Sequence, residues 1–101
     1  MRAVVDFAVV PLGVGVSLSK YVAACQRVLE EAGLEYQLHA NGTNIEGDWE
    51  AVFAAIRRCH EAIHAMGAPR ITTVIKLGTR IDRDQSLDEK VESVERRLHR
   101  S

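Results

Sequence analysis

The dipeptide Asn41-Gly42 constrains the fold of this chain most, because it separates two short runs of alternating residues. These runs cover residues 35–40 and 43–46. Asn-Gly is the strongest short signal for a β-hairpin, since both central residues of the favoured two-residue turn adopt positive φ. The sequence therefore predicts two antiparallel strands that are neighbours in one sheet.

The part of the chain before the hairpin predicts a strand followed by a helix. Residues 3–10 are rich in β-forming side chains, and Pro11 is predicted to end that strand. Apolar residues then recur at helical spacing as far as Gly33, which is the predicted C-terminal stop. Ser17 or Ser19 is the predicted N-cap of this helix.

The part after the hairpin predicts a helix, a strand and a further helix. Asp48 can cap a helix that runs to about Met66, and residues 70–81 alternate as a long strand. Residues 86–89 read Ser-Leu-Asp-Glu, which has the form of a capping box at a helix start. The last helix is predicted to dock through a narrow apolar stripe made of Leu87, Val91, Val94 and Leu98.

The predicted order is β-α-β-β-α-β with an added C-terminal helix, which is the ferredoxin-like arrangement of the α+β class. Residues 1–101 are expected to form a single domain, with two helices on one face of a four-stranded antiparallel sheet. A partner sheet, the C-terminal helix or a ligand could cover the opposite face. That open face is predicted to carry both apolar and charged residues, namely Val4, Asp6, Ala8, Val10, Gln37, His39, Asn44, Glu46, Val74, Lys76 and Arg80.

Composition argues against several classes of partner. The formal net charge of -1 is unsuited to a broad electrostatic grip on nucleic acid or on an anionic membrane surface. No apolar run approaches the ~18–20 residues that a membrane span requires. The two cysteines, Cys25 and Cys59, lie on the predicted core stripes and are too few for a disulfide scaffold. Reduced, buried thiols and a cytoplasmic location are expected.

One motif with metal-binding spacing occurs in the second helix. His60, Glu61 and His64 match the H-E-x-x-H pattern of zinc-dependent hydrolases. Helical geometry places both histidines on the flank of the core stripe rather than in a cleft. We therefore expect no metal and no catalytic residues, with a zinc enzyme as a minor alternative.

The acidic residue Glu46 falls on the predicted open face and admits two interpretations. Covering a carboxylate there is costly unless it meets a cation. Lys76 or Arg80 could supply that cation in an ion pair on the sheet surface. A cationic ligand could equally supply it, which would make Glu46 a binding residue.

Several short segments resemble the YkoF-like family of small thiamine-binding proteins. They are Pro11-Leu12-Gly13, Ser17-x-Ser19-x-Tyr21-Val22, Gly42-Thr43-x-Ile45-Glu46-Gly47, Arg80-x-Asp82 and Lys90-Val91-x-Ser93-Val94. The resemblance covers essentially the whole chain. It implies a ferredoxin-like domain that assembles as a homotetramer, a dimer of dimers, and binds thiamine or its hydroxymethyl-pyrimidine part. It also implies no catalysis and no required cofactor.

With such a ligand, the expected binding residues are Ser17, Tyr21, His39, Thr43, Glu46 and Lys76. Hydroxyl groups would contact the ligand, an aromatic ring would stack on it, and a carboxylate would meet its charge or its amino group. The main alternative is a structural or partner-binding oligomer without a small ligand. In that case Glu46, His39 and Lys76 should be buried as satisfied pairs between subunits, leaving no cavity.

Overall fold

A computed structural model describes residues 1–82 and 86–99 and contains the predicted series of elements. The strands and helices, in chain order, are β1 (Arg2–Leu12), α1 (Ser19–Glu31), β2 (Glu35–His39), β3 (Gly42–Asp48), α2 (Trp49–Ala65), β4 (Arg70–Thr79) and α3 (Leu87–Leu98). The strands form one antiparallel sheet in the order β2-β3-β1-β4. This confirms the ferredoxin-like α+β fold.

The two faces of the sheet separate by residue parity, as the alternation predicts. Val5 and Phe7 of β1 are buried under α1 and α2, together with Ile45 of β3. Asp6 points to the opposite face, where its cross-strand partners are Asn44 and Lys76. The helices therefore cover one face only, and the predicted open face is present.

Pro11 does not end the first strand, so that prediction is wrong. β1 continues through Pro11, which pairs with Ile71 of β4, to Leu12. The register of β1 with β3 stops at Phe7, so the outer part of β1 has a strand neighbour on one side only. Proline is tolerated in such edge positions because no ladder hydrogen bond is lost there.

The helix ends agree with the sequence in part. Leu18, not Ser17 or Ser19, is the N-cap of α1, and its side chain makes no capping hydrogen bond. Gly33 takes a φ of 71° just after α1, as the predicted stop requires. Ser86 forms the predicted capping box, since its Oγ accepts from the Glu89 amide at 3.1 Å.

The hairpin forms, but its turn is displaced by one residue from the predicted position. The loop is Ala40-Asn41, flanked by the paired His39 and Gly42, and no described residue other than glycine has a positive φ. Gly42 is the first residue of β3. A Cβ atom there would lie 2.8 Å from the Phe7 carbonyl oxygen. Close packing, rather than a left-handed turn, requires this glycine.

The apolar stripe of α3 is not docked within the chain. Val91, Val94 and Leu98 are 50%, 57% and 74% exposed, so a single copy leaves the stripe uncovered, and the predicted docking stays a prediction for the assembly. The side chain of Leu87, the fourth member of the stripe, lies outside the described residues. Charged residues cover most of α3, and the first part of the helix approaches the open face through Lys90.

Candidate functional site

A cavity of about 200 Å³ lies between α1 and the sheet, beside the tip of the β2–β3 hairpin. It exists because β3 and β4 pair with different lengths of β1. The pairing of β1 with β4 extends to Leu12, whereas its pairing with β3 extends only to Phe7. The outer part of β1 therefore has no strand on its β3 side, and α1 roofs the gap. Apolar side chains form most of the walls, among them Phe7, Val9, Leu18, Val22 and Leu38.

Gln26 and Thr43 place a polar pair in this apolar wall. Gln26 Nε2 donates a hydrogen bond of 3.0 Å to Thr43 Oγ1, and Thr43 is buried. Gln26 Oε1 is also buried and has no hydrogen-bond partner among the described residues. The Gln26 amide could also be placed with its oxygen and nitrogen exchanged, but one buried polar atom stays unpaired in both orientations. Such an atom costs roughly 1–3 kcal/mol, which a bound ligand with a matching group can recover.

His39 fixes the hairpin tip beside the cavity. Its Nε2 lies 2.8 Å from Asp6 Oδ1, and its Nδ1 accepts the amide hydrogen of Asn41 at 3.3 Å. An imidazole that accepts at Nδ1 carries its proton on Nε2, which then donates to the Asp6 carboxylate. Both ring nitrogens are therefore engaged. The Ala40-Asn41 loop is held in place as one wall of the cavity.

The predicted binding residues are divided between several places. His39 and Thr43 line the cavity. Ser17 is exposed before α1, and Tyr21 is buried in the core with the Lys20 ammonium 5.1 Å from its ring centroid. Glu46 and Lys76 lie on the opposite face of the sheet. The described structure thus brings together two of the predicted residues and separates the other four from them.

Sequence reasoning missed Gln26, although a signal for it exists. Gln26 lies four residues after Val22 and three before Leu29, which are two of the apolar residues that recur at helical spacing along α1. A polar residue at these spacings faces the same side of the helix as the core. An amide on the core side of the helix needs hydrogen-bond partners for both its nitrogen and its oxygen, and Thr43 is a partner for only one of them.

Glu46 is 2% exposed on the open face and is held in an ion pair. Its cation is Arg2, with the Arg2 Nη2 atom 3.2 Å from Glu46 Oε2. The Arg80 guanidinium, one of the cations that the sequence suggested, lies 2.6 Å from Asp82 Oδ1. Glu46 therefore has a cation within the chain, Arg2, that the sequence did not indicate.

We expect Glu35→Gln to stabilise the fold at neutral pH. Glu35 pairs across the strands with Glu46. Hydrogen bonding to Glu46 and repulsion from its charge raise the pKa of the Glu35 carboxyl. The folded state thus keeps a proton that the unfolded state has lost. This contribution to stability is present at low pH and is lost as the pH rises through the raised pKa.

Urea unfolding of wild type and Glu35→Gln from about pH 5 to about pH 8 checks this expectation. The advantage of the variant in unfolding free energy should grow with pH and then level off. Glu92→Gln on α3 removes the same charge from an exposed residue and serves as the control. An advantage that stays constant over this range would contradict the assigned coupling.

The H-E-x-x-H motif of α2 is occupied by contacts within the chain. His60 Nε2 lies 2.6 Å from Thr73 Oγ1, and His64 Nδ1 lies 2.7 Å from the Ala68 carbonyl oxygen. Glu61 is exposed and pairs with Arg57 at 3.7 Å. Across residues 1–82 and 86–99, no three side chains of the metal-ligating types are grouped closely enough to hold an ion. The two histidines of the motif therefore link α2 to β4 and to the segment between α2 and β4.

Comparison with known sequences identifies close relatives. A family model described as thiamine-binding protein matches residues 5–95. The UPF0045 protein sll0230 of Synechocystis sp. is 64% identical over 101 residues, covering 100% of this chain and 84% of the relative. The UPF0045 protein YqgV of Bacillus subtilis is 38% identical over 101 residues, covering 95% of this chain and 97% of the relative.

Solved structures share the same fold. The hypothetical protein MJ1052 of Methanocaldococcus jannaschii superposes with a TM-score of 0.85 at 26% identity, covering 93% of this chain and 96% of that one. A Thermotoga maritima protein named for thiamine biosynthesis/salvage superposes with a TM-score of 0.79 at 17% identity, covering 93% and 99%. The second likeness shows the fold alone. In the described part of this chain, no helix is long and apolar enough to cross a membrane.

Proposed function

We propose, on the premise that this chain belongs to the thiamine-binding protein family, that its cavity binds the aminopyrimidine ring of thiamine or free hydroxymethyl-pyrimidine. The observation that carries the proposal is the buried, unpaired Oε1 atom of Gln26. An aminopyrimidine presents an amino donor beside a ring-nitrogen acceptor. Gln26 Oε1 can accept from the amino group, and the hydroxyl of Thr43 can donate to the ring nitrogen.

The size of the cavity favours one ring over the whole thiamine molecule. Its volume of about 200 Å³ is below the ~300–1,000 Å³ of pockets that enclose drug-sized ligands. Its walls are mainly apolar, which suits the two faces of a flat, uncharged ring. The thiazolium of thiamine carries a fixed positive charge, and burying it among these walls would be costly. We therefore place the pyrimidine inside and the thiazolium in solvent.

Isothermal titration calorimetry with separate parts of thiamine tests this assignment. Hydroxymethyl-pyrimidine and thiamine should both bind with one site per chain, and hydroxyethyl-thiazole should not. Binding of the thiazole as tightly as the pyrimidine would overturn the orientation. No heat from any of the three at millimolar concentration would overturn the proposed ligand.

We propose that the chain binds its ligand without catalysis and needs no cofactor. His39 is the one histidine among the described residues that border the cavity, and both nitrogens of its ring are engaged, by Asp6 and Asn41. It is therefore poorly placed to exchange a proton with a ligand. A cytoplasmic location, expected from the sequence, stays a prediction.

We also propose that copies of the chain assemble as a homotetramer, a dimer of dimers. The support is apolar surface that a single copy leaves exposed. On β4 it comprises Val74, Ile75 and Leu77, and on α3 it comprises Val91, Val94 and Leu98. A small domain gains stability by covering such residues in a partner contact.

Light scattering should therefore give about four times the mass of one chain. Val91→Asp should dissociate the assembly, because it places a charge in the apolar stripe of α3, whereas Val91→Ile should retain the wild-type mass. A monomeric wild type at micromolar concentration would refute the tetramer. A tetramer that binds none of the thiamine parts would favour the structural oligomer instead.

A further inference from the structure

Cys25 of α1 and Cys59 of α2 are in contact behind the cavity. Cys25 is 3% exposed, and Cys59 is fully buried; both are free thiols. The Sγ atom of Cys59 lies 3.9 Å from the carbonyl oxygen of Cys25. Cys25 also lines the cavity, whereas Cys59 is not part of its wall. Cys25 is therefore the member of the pair that borders the cavity.

The two thiols are not equivalent. The interaction between the two side chains lowers the pKa of Cys25 in spite of the opposing effect of burial. The same interaction, together with burial, raises the pKa of Cys59. The thiolate is the reactive form of cysteine, so Cys25 is the better nucleophile of the two.

We propose that Cys25 and Cys59 form a redox-active pair in which Cys25, reached through the cavity, reacts with a hydroperoxide and Cys59 then closes a disulfide between α1 and α2. The proposal rests on the contact between the helices and on the wall that Cys25 contributes to the cavity. It does not require thiamine or any part of it as a ligand.

The oxidation balances with hydrogen peroxide as the named oxidant. The Cys25 thiolate attacks one peroxide oxygen, the O–O bond breaks, and the departing hydroxide takes up a proton to become water. Cys25 is then a sulfenic acid. The Cys59 sulfur, losing its proton, attacks the Cys25 sulfur, the S–O bond breaks, and a second water leaves. Overall, two thiols and one peroxide give one disulfide and two waters.

Mass spectrometry of the folded full-length chain tests the proposal. Treatment with stoichiometric hydrogen peroxide should remove two hydrogen atoms from the mass, and peptide mapping without reductant should recover a Cys25–Cys59 linked peptide. In Cys59→Ser, dimedone should trap a sulfenic acid on Cys25. In Cys25→Ser, trapping on Cys59 should be lower, on the order of tenfold. Circular dichroism verifies that both variants are folded.

Two results would overturn the proposal. One is a folded chain that stays reduced under conditions that oxidise the same chain in urea. The other is disulfide formation between two chains instead of within one.

A separate arm repeats the oxidation with saturating hydroxymethyl-pyrimidine. Slower oxidation supports the route through the cavity, and disulfide formation at an unchanged rate with calorimetrically bound ligand refutes it. Calorimetry without binding rejects the proposed ligand only.

Discussion

Gln26→Leu is expected to weaken hydroxymethyl-pyrimidine binding by ~10–100-fold while changing the free energy of unfolding little, because the loss of the bond to Thr43 and the loss of the unpaired amide oxygen offset each other. Leucine is comparable in size to glutamine and has no polar atoms. The substitution therefore removes both the proposed acceptor of the ligand's amino group and the buried oxygen that has no partner in the unliganded chain. Calorimetry measures the loss of affinity, and urea unfolding measures the stability.

The loss of affinity, with an unfolding free energy close to that of the wild type, makes the result specific to a binding role. A glutamine that serves only the fold through its bond to Thr43 would change stability without changing the affinity for a ligand. Arg27→Leu, on the exposed side of the same helix, is the matched control and should leave affinity unchanged. Wild-type affinity in Gln26→Leu would reject the role assigned to the amide.

Gly42→Ala is expected to destabilise the fold by about 1–3 kcal/mol and to weaken ligand binding as well. The added methyl group would lie 2.8 Å from the Phe7 carbonyl oxygen, which belongs to the backbone and has little freedom to move. It would also lie 3.0 Å from Asp6 Oδ1 and 3.3 Å from the His39 ring. The variant therefore strains the strand pairing and the contact that holds the hairpin tip.

Gly78→Ala is the matched control for this prediction. It adds the same methyl group to a strand glycine, but its nearest neighbour is the Val4 carbonyl oxygen at 4.0 Å. Thermal and urea unfolding should rank Gly42→Ala well below wild type and Gly78→Ala close to it. Equal stability of the two variants would show that the approach at Gly42 is relaxed at little cost.

The fold was accessible from the sequence because its signals are local and periodic. The alternation of β1 correctly placed Val5 and Phe7 inside and Asp6 outside. The capping box at Ser86 identified the start of α3. Each of these features depends on residues that are close together in the sequence, so the sequence alone is sufficient to predict it.

The features that the sequence did not reveal depend on distances across the fold. Asn41-Gly42 correctly indicated a hairpin, yet the reason for Gly42 is the backbone of β1 opposite it. Glu46 meets Arg2, which lies far away in the sequence and becomes its neighbour only through the pairing of β1 with β3. The stripe of α3 stays exposed in a single copy, which its periodicity alone did not show.

The candidate site was only partly predictable for the same reason. Thr43 and His39 lie next to the hairpin signal and were among the predicted residues. Gln26 comes from another element, and its importance appears only once α1 is seen to roof the uncovered part of β1. Tyr21 carries an aromatic ring suited to stacking on a ligand, but this ring is buried in the hydrophobic core.

The unequal reach of β3 and β4 along β1 has a consequence for how this architecture can diversify. The hairpin ends at Ala40-Asn41, well before the end of β1. The cavity lies beside the part of β1 that β3 does not pair with. Adding two residues to each arm of the hairpin would extend the pairing and fill that space, whereas trimming the arms would enlarge it. A change in loop length alone, with every core residue untouched, can thus set the dimensions of the molecule that is accepted.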